Sequence, residues 1–556
     1  MASTTNRLVI YQIFTRTFAN RNLTRKKNGT YDENGAGKMN NINAQTLRQV
    51  RSLGITHIWY TGVIRHATAT DYSRYGIPIQ HPSVVKGKAG SPYAITDYYD
   101  IDPDLTENVG QRMEEFRALI KRTHAEGLKA IIDFVPNHVA REYKSIAKPD
   151  GVRDLGADDD PTKHFDAQNN FYYCPNAPFA PLLDKGDYEE FPAKCTGNDC
   201  FDNHPTPNDW YETVKLNYGV DYTGGGSHHF DPTPSTWKKM TDILLFWASQ
   251  GVDGFRCDMA EMVPTAFWAY ASQRLKAAYP SAILIGEVYN PSLYRDYIAS
   301  GFDYLYDKVG MYDCLRAIVC QQRGASEITP QWQATDDIRD HMLYFLENHD
   351  EQRIASDFFC GDGQKAQPAM MVSAWLRTNP VMIYAGQEFG ERGMDCEGFS
   401  GTDGRSTIFD YWSTESIYQG YLNRKGLEAK QKDIEAAYRQ ILCLANAEKA
   451  LREGEMFDLM YANPSSDVFD SQKLFAFLRK KDSELLLIVV NFSGESLSAQ
   501  VTIPAHAFDF FHIEEGTHEA TELLSGEKRT DLWRKDGQIG VEVKGYNGII
   551  IKQILS

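Results

Sequence analysis

The feature that most constrains this chain is a unit that recurs: an amphipathic helix, a glycine that ends it, and a short apolar strand whose last residues are polar. Leu47, Val50 and Leu53 form one helical stripe, Gly54 closes it, and residues 55–60 read as the strand. Met113, Phe116, Leu119 and Ile120 precede Gly127 and a strand at 130–135. Trp237, Met240, Ile243, Leu244 and Trp247 precede Gly251 and a strand at 252–257. Further strands are predicted at 8–14, 282–288, 342–346 and 381–384, with a weaker one at 302–306, which makes eight. Apolar strands alternating with helices require a parallel sheet covered on both faces. Over roughly 450 residues, eight such units predict a closed eight-stranded α/β (TIM) barrel. An open doubly wound sheet would carry a Gly-rich dinucleotide turn, and the sequence has none.

Two stretches break the repeat. Residues 139–230 are rich in Asp, Asn, Pro, Gly and Tyr and poor in periodic pattern. A segment of that length is either functional or a small domain, and it is expected to form a lobe inserted after the third strand on the C-terminal rim. Beyond 455 the pattern turns to short strands at 474–478, 485–491, 500–503 and 548–551, which predict a separate all-β sandwich. The expected division of the 556 residues is a barrel of 1–138 and 231–455, a lobe of 139–230 and a C-terminal β domain of 456–556.

Composition removes several partners. With 75 acidic against 58 basic residues and a net charge of −17, most of the surface would repel a phosphate backbone, so nucleic acid is not expected. No run approaches the roughly 18 apolar residues of a membrane span, and no charged-then-apolar leader precedes the first strand. A soluble, cytoplasmic protein is expected, an exported one with its signal trimmed being the alternative; no feature fixes an oligomeric state. Nine cysteines at irregular spacing fit free thiols in a reducing compartment. Cys174, Cys195 and Cys200 cluster, and Cys195 and Cys200 are spaced for a bridge or half a zinc site, with no second Cys/His pair following.

In barrels of this kind the C-terminal strand ends face the active site. Five of the eight ends carry polar clusters: Asp133-Phe-Val-Pro-Asn137-His138, Arg256-Cys-Asp258, Glu287, Glu347-Asn-His349-Asp350 and Gln387-Glu388. Each alone has a plainer explanation, since a strand-end carboxylate is usually a helix cap or a surface ion partner and a single histidine a structural one. Their convergence is what favours catalysis. Asp258, Glu287 and Asp350 would project from strands four, five and seven into one opening, with no His/Cys set among them to hold a metal. Three such carboxylates suggest retaining glycoside hydrolysis, in which one attacks the anomeric carbon and another, about 5–5.5 Å away, protonates the leaving oxygen. Arg256 shares a strand face with Asp258 and is expected to keep it ionised; Glu287 has no cation beside it in sequence, which would help raise its pKa for the acid role.

To these clusters the chain adds Tyr11-Gln-Ile-Phe-Thr-Arg-Thr-Phe18, Ser91-Pro-Tyr93-Ala-Ile-Thr-Asp97-Tyr98-Tyr99 and Val490-Asn-Phe-Ser493. In this order, across most of residues 8–495, it resembles the α-amylase family of retaining glycoside hydrolases. The resemblance implies Asp258 as nucleophile, Glu287 as general acid/base, and Asp350 as the group that hydrogen-bonds the hydroxyls of the distorted sugar. It further implies that His138 and His349 bind sugar hydroxyls, that Arg256 orients the nucleophile and that Tyr93 stacks under the ring. A core or rim tyrosine is the competing reading for Tyr93, because Ser91 and Pro92 depart from the family's His-Gly. Met262 stands where the family often has a histidine on the leaving-group side. In Val214-Lys-Leu-Asn217, Lys215 stands where calcium-dependent members carry Asp.

An ammonium cannot ligate calcium but can supply positive charge near Asn137, so no calcium is expected at that site and no cofactor is required, a calcium site elsewhere remaining open. A plain solvated side chain is the competing reading for Lys215. The lysine version resembles the cyclomaltodextrinase and neopullulanase branch, which implies short or cyclic maltodextrins, α-1,4-linked and in some cases α-1,6-linked, as substrates. Two other functions use the same barrel: an α-glucan transglycosylase with the same covalent intermediate, and a non-catalytic carbohydrate-binding protein, which all three retained carboxylates argue against.

Overall fold

The computed structural model describes residues 7–555. Its centre is a closed barrel of eight parallel strands in chain order: β1 (Val9–Phe14), β2 (His57–Thr61), β3 (Lys129–Phe134), β4 (Gly254–Cys257), β5 (Ile283–Gly286), β6 (Tyr304–Tyr306), β7 (Met342–Phe345) and β8 (Val381–Tyr384). All eight predicted strands are present. The three helices expected from their stripes run Ala44–Arg51, Arg112–Ala125 and Ser235–Ser249. The chain leaves them through Gly54, Gly127 and Gly251, each at a positive φ that a side chain would disfavour.

The two-residue period of the strands sorts the side chains. Ile10, Trp59, Ile131, Ile285, Tyr306, Leu343, Phe345 and Met382 fill the barrel, while Val9, Tyr11, Ile58, Tyr60, Ile132, Leu284 and Ile383 face the helices in a second core. The inward rows end in polar residues at the C-terminal rim: Gln12 on β1, Thr61 on β2, Asp133 on β3 and Arg256 on β4. Register brings them together. Arg256 lies beside Asp133 across β3–β4 and beside Ile285 across β4–β5. Just past the ladder, the Asp258 N–H donates to the Phe134 carbonyl at 2.9 Å and the Glu287 N–H to the Cys257 carbonyl at 3.1 Å, so the two carboxylates leave adjacent strand ends.

After β3 the chain builds three two-stranded sheets: His138–Ala140 with Thr213–Lys215, Tyr173–Cys174 with Ala193–Lys194, and Val220–Asp221 with Ser227–His228. The second pair packs on a small core that includes Tyr172, Cys174, Phe179, Tyr188 and Cys195, while Val139 and Val214 of the first pair join the main core. Strands of two or three residues are too short to show a hydrophobic period, which is why this stretch reads as patternless.

The C-terminal part is β-rich. A six-stranded antiparallel sheet runs in the order Glu455–Asp458, Leu474–Lys481, Glu484–Asn491, Asn547–Ile554, Gly516–Glu522 and Lys528–Trp533, with Leu497–Ile503 and Gly537–Val543 forming a separate pair. The strands between 516 and 543 escaped the sequence reading because alternate residues point to solvent and are polar. All nine cysteines are free. The thiol beside Cys195 is Cys174, at 3.8 Å, while the Cys200 sulfur meets Asp202 Oδ1 at 3.6 Å. Among the described residues no helix is long and apolar enough to cross a membrane.

Candidate active site

One guanidinium organises the rim. Arg256 is 1% exposed; its Nη1 lies 2.7 Å from Asp258 Oδ1 and 3.4 Å from Asp133 Oδ1, and its Nη2 lies 2.7 Å from Glu287 Oε2 as an ion pair. The rings of Trp59, Tyr93 and Tyr306 surround it at 5.2, 5.4 and 5.8 Å. A single fork holding one oxygen of each carboxylate caps their separation at about 8 Å. Glu287 is further fixed by the Tyr289 hydroxyl, which donates to Oε1 at 2.6 Å, and by the Met259 N–H, which donates to Oε2 at 2.8 Å. Met259 directs that N–H from the left-handed region, at φ +44, a strained conformation for a side-chain-bearing residue.

Two expectations are corrected here. Glu287 has no cation beside it in sequence, which was expected to help raise its pKa; in space it shares Arg256 with Asp258. Asp258 was expected to be held ionised by Arg256. Instead burial pushes its pKa well above the usual carboxylate value; Arg256 opposes this, but Glu287, Asp350 and Asp133 add to it. Asp133 is raised as well, by burial against the pull of Arg256.

Asp350, from the β7 end, moves the other way. Burial raises it, but His349, Arg256 and Arg405 outweigh that and leave it below the usual range. His349 Nε2 lies 2.9 Å from Asp350 Oδ2, and the Gln12 amide donates to Nδ1 at 2.8 Å, so the imidazole presents its N–H to the carboxylate. Tyr93 stacks on His349 at 5.2 Å, and its hydroxyl bonds His349 Nε2. His138 is buried, and its pKa is driven down to about 3 by burial and by Lys215 and Lys86, so it is a neutral imidazole. Its ring packs against Trp210 at 5.2 Å.

These groups surround a cavity of about 260 Å³ lined by Tyr93, His138, Asp258, Glu287 and Asp350 together with Lys86, Trp210, Glu212, Tyr289 and Phe409. Tyr93 lines the cavity and is at the same time a member of the buried core. Arg256 and His349 do not line it; they stand behind the lining side chains. The fifth cluster does not join them. Glu388 accepts from the Tyr11 and Tyr421 hydroxyls at 2.6 Å each, and Gln387 donates to the Tyr438 hydroxyl at 3.1 Å, which makes both structural. Tyr289 and Gln12 were missed, though both were legible by alternation: Tyr289 is two residues past Glu287 and Gln12 two past the inward Ile10. Lys86, Trp210 and Glu212 lie in irregular segments where no pattern marks them.

Lys215 is not a solvated side chain: it is 1% exposed, its ammonium bonds Asn137 Oδ1, and it lies 2.7 Å from Asp199 Oδ1. Burial lowers its pKa against the pull of Asp199. Among the described residues no group of three or more His, Cys, Asp or Glu side chains is arranged to hold a metal.

A closed parallel barrel with carboxylates from β4, β5 and β7 around one sugar-sized cavity defines the class, a glycoside hydrolase. The family model "Alpha amylase, catalytic domain" matches residues 12–437. The chain belongs to the α-amylase family. Neopullulanase 2 of Thermoactinomyces vulgaris is 22% identical, covering 98% of this chain and 77% of that relative; an α-amylase of Haloarcula japonica is 25% identical, covering 96% of this chain and 60% of that relative. Among solved structures, the maltogenic α-amylase of Thermotoga neapolitana covers all of both chains with a TM-score of 0.64 at 18% identity. The α-amylase of Geobacillus thermoleovorans complexed with acarbose gives 0.64 at 18% identity over 98% of each chain. At these identities the structural matches speak to the fold.

Proposed function

We propose that this enzyme hydrolyses α-1,4-glucosidic bonds of maltodextrins with retention at the anomeric carbon, acting on α-glucans as the names of its relatives suggest. The observation that carries the reading is the Arg256 fork, which holds one oxygen each of Asp258 and Glu287 at 2.7 Å on the wall of a single cavity. In the first step an Asp258 oxygen bonds the anomeric carbon, the bond to the leaving oxygen breaks, and Glu287 gives that oxygen its proton. In the second, Glu287 takes a proton from water as the water oxygen displaces Asp258. Asp350, kept ionised beside His349, accepts from ring hydroxyls, Tyr93 supplies an apolar face, and neutral His138 can both donate to and accept from a hydroxyl. Arg256 and His349 act through the carboxylates they hold. Lys215, filling the space beside Asn137 with its own charge, supports a site that works without calcium.

The test is proton NMR of maltoheptaose during hydrolysis. α-Anomeric product appearing first, in the wild type but not in Asp258→Asn or Glu287→Gln, is expected; β-anomer first, or near-normal turnover in either variant, overturns the assignment.

A further inference from the structure

The small core beside the cavity contains two thiols that glycoside chemistry does not use. Cys174 and Cys195 face each other with sulfurs 3.8 Å apart; Cys195 is fully buried and Cys174 is 9% exposed. Register pairs Cys174 with Ala193, so Cys195, two residues on, is its diagonal neighbour on the same face. Cys195 is also tied to the cavity wall. Its carbonyl accepts the Lys215 N–H at 2.9 Å, and Lys215 pairs with His138 in the adjoining ladder. Two residues further, the Gly197 carbonyl accepts from Asn137 Nδ2 at 2.8 Å and its N–H donates to Thr213 Oγ1 at 3.2 Å. Gly197 packs so closely that an added Cβ would lie 2.7 Å from His138 Cβ. Residues 195–199 thus buttress His138 and Thr213, which line the cavity.

We propose that Cys174 and Cys195 form a thiol–disulfide switch that a low-molecular-weight disulfide oxidises, and that the resulting bridge displaces the 195–199 buttress and slows turnover. Bonding requires the sulfurs to close to about 2.05 Å, and diagonal partners have Cα atoms about 7–8 Å apart, beyond the usual span of a bridge, so backbone must move. The Cys174 thiol, the more exposed of the two, reacts first. Its thiolate attacks one sulfur of the oxidant, the oxidant's S–S bond breaks and one small thiolate leaves. The Cys195 thiolate then attacks the Cys174 sulfur of the mixed disulfide and expels the second. Two electrons pass to the oxidant, and the two cysteine protons end on the two released thiols.

The experiment treats the full chain with oxidised glutathione and reads intact mass, non-reducing peptide maps and maltoheptaose turnover. Expected are a loss of about 2 Da with a Cys174–Cys195 linked peptide, and a roughly tenfold or larger fall in turnover that dithiothreitol reverses. Cys174→Ser should be active and unresponsive, and Cys200→Ser should respond as the wild type does. Mixed disulfides without a bridge, a different linked pair, or full Cys174–Cys195 bridging with unchanged turnover would each overturn the proposal. Only the turnover readout rests on the proposed function; the mass readout does not, and inactivity before oxidation counts against that function rather than against the switch.

Discussion

Replacing Arg256 with Met removes the cation that Asp258 and Glu287 share while keeping an unbranched stem inside the cage of Trp59, Tyr93 and Tyr306. Breaking a buried ion pair by deleting one partner costs about 3–5 kcal/mol, and losing the cation over three rings adds about 1 kcal/mol. Against a typical total stability of about 5–15 kcal/mol the fold should survive with a large deficit at neutral pH. That deficit should depend on pH. Asp258 is already raised by burial, and without Arg256 it rises further. Between the ordinary carboxylate pKa and the raised folded one, the native state binds more protons than the unfolded state, so stability falls as pH rises, by up to about 1.4 kcal/mol per pH unit for each such group. The penalty of Arg256→Met should therefore be smaller near pH 5 than near pH 8. Thermal unfolding of both proteins at the two pH values measures it. An equal loss of Tm at both would refute the claim that Arg256 governs the ionisation of its neighbours.

The other predictions concern the same walls. In the proposed mechanism Asp258 attacks in its ionised form, and its pKa is raised, so the acidic limb of kcat/KM should lie above the ordinary Asp value of about 3.9; a flat profile down to pH 4 would contradict this. Chelation with EDTA should leave Tm and turnover unchanged, because Lys215 supplies the charge beside Asn137; a drop restored by calcium would show that a metal is required. Gly197→Ala should raise KM several-fold by pushing on His138, since the new Cβ would lie 2.7 Å from His138 Cβ and 2.6 Å from Thr213 Oγ1; unchanged KM would detach residues 195–199 from the site.

How far the sequence carries depends on how local the causes are. The barrel was legible because three units declare themselves within about 25 residues, as a stripe at helical spacing, a glycine, then a strand buried on both faces, and the other five strands read as short apolar runs. The segment after β3 was not, because its strands are two or three residues long and its core is assembled from Tyr172, Phe179, Tyr188 and the two thiols across turns. The polar strands 516–522 and 528–533 escaped for a different reason. Their inward residues are few: 516–522 is placed by its pairing with Asn547–Ile554, a partner distant in sequence, and 528–533 only by pairing back onto 516–522.

The site shows the same boundary more sharply. Position on a strand end follows from period and order, and Asp258, Glu287, Asp350 and His138, read at strand ends, line one cavity. Charge state does not, because it is set across strands. Arg256 sits two residues from Asp258 and 31 from Glu287, yet the distance to each is 2.7 Å, because the β4–β5 register sets Cys257 beside Gly286 and the next residue of each strand projects over the same guanidinium. A reading confined to sequence neighbours gives the cation to Asp258 alone and predicts one ionised and one isolated carboxylate. The barrel instead makes them share a single charge, so the ionisation of each depends on the other.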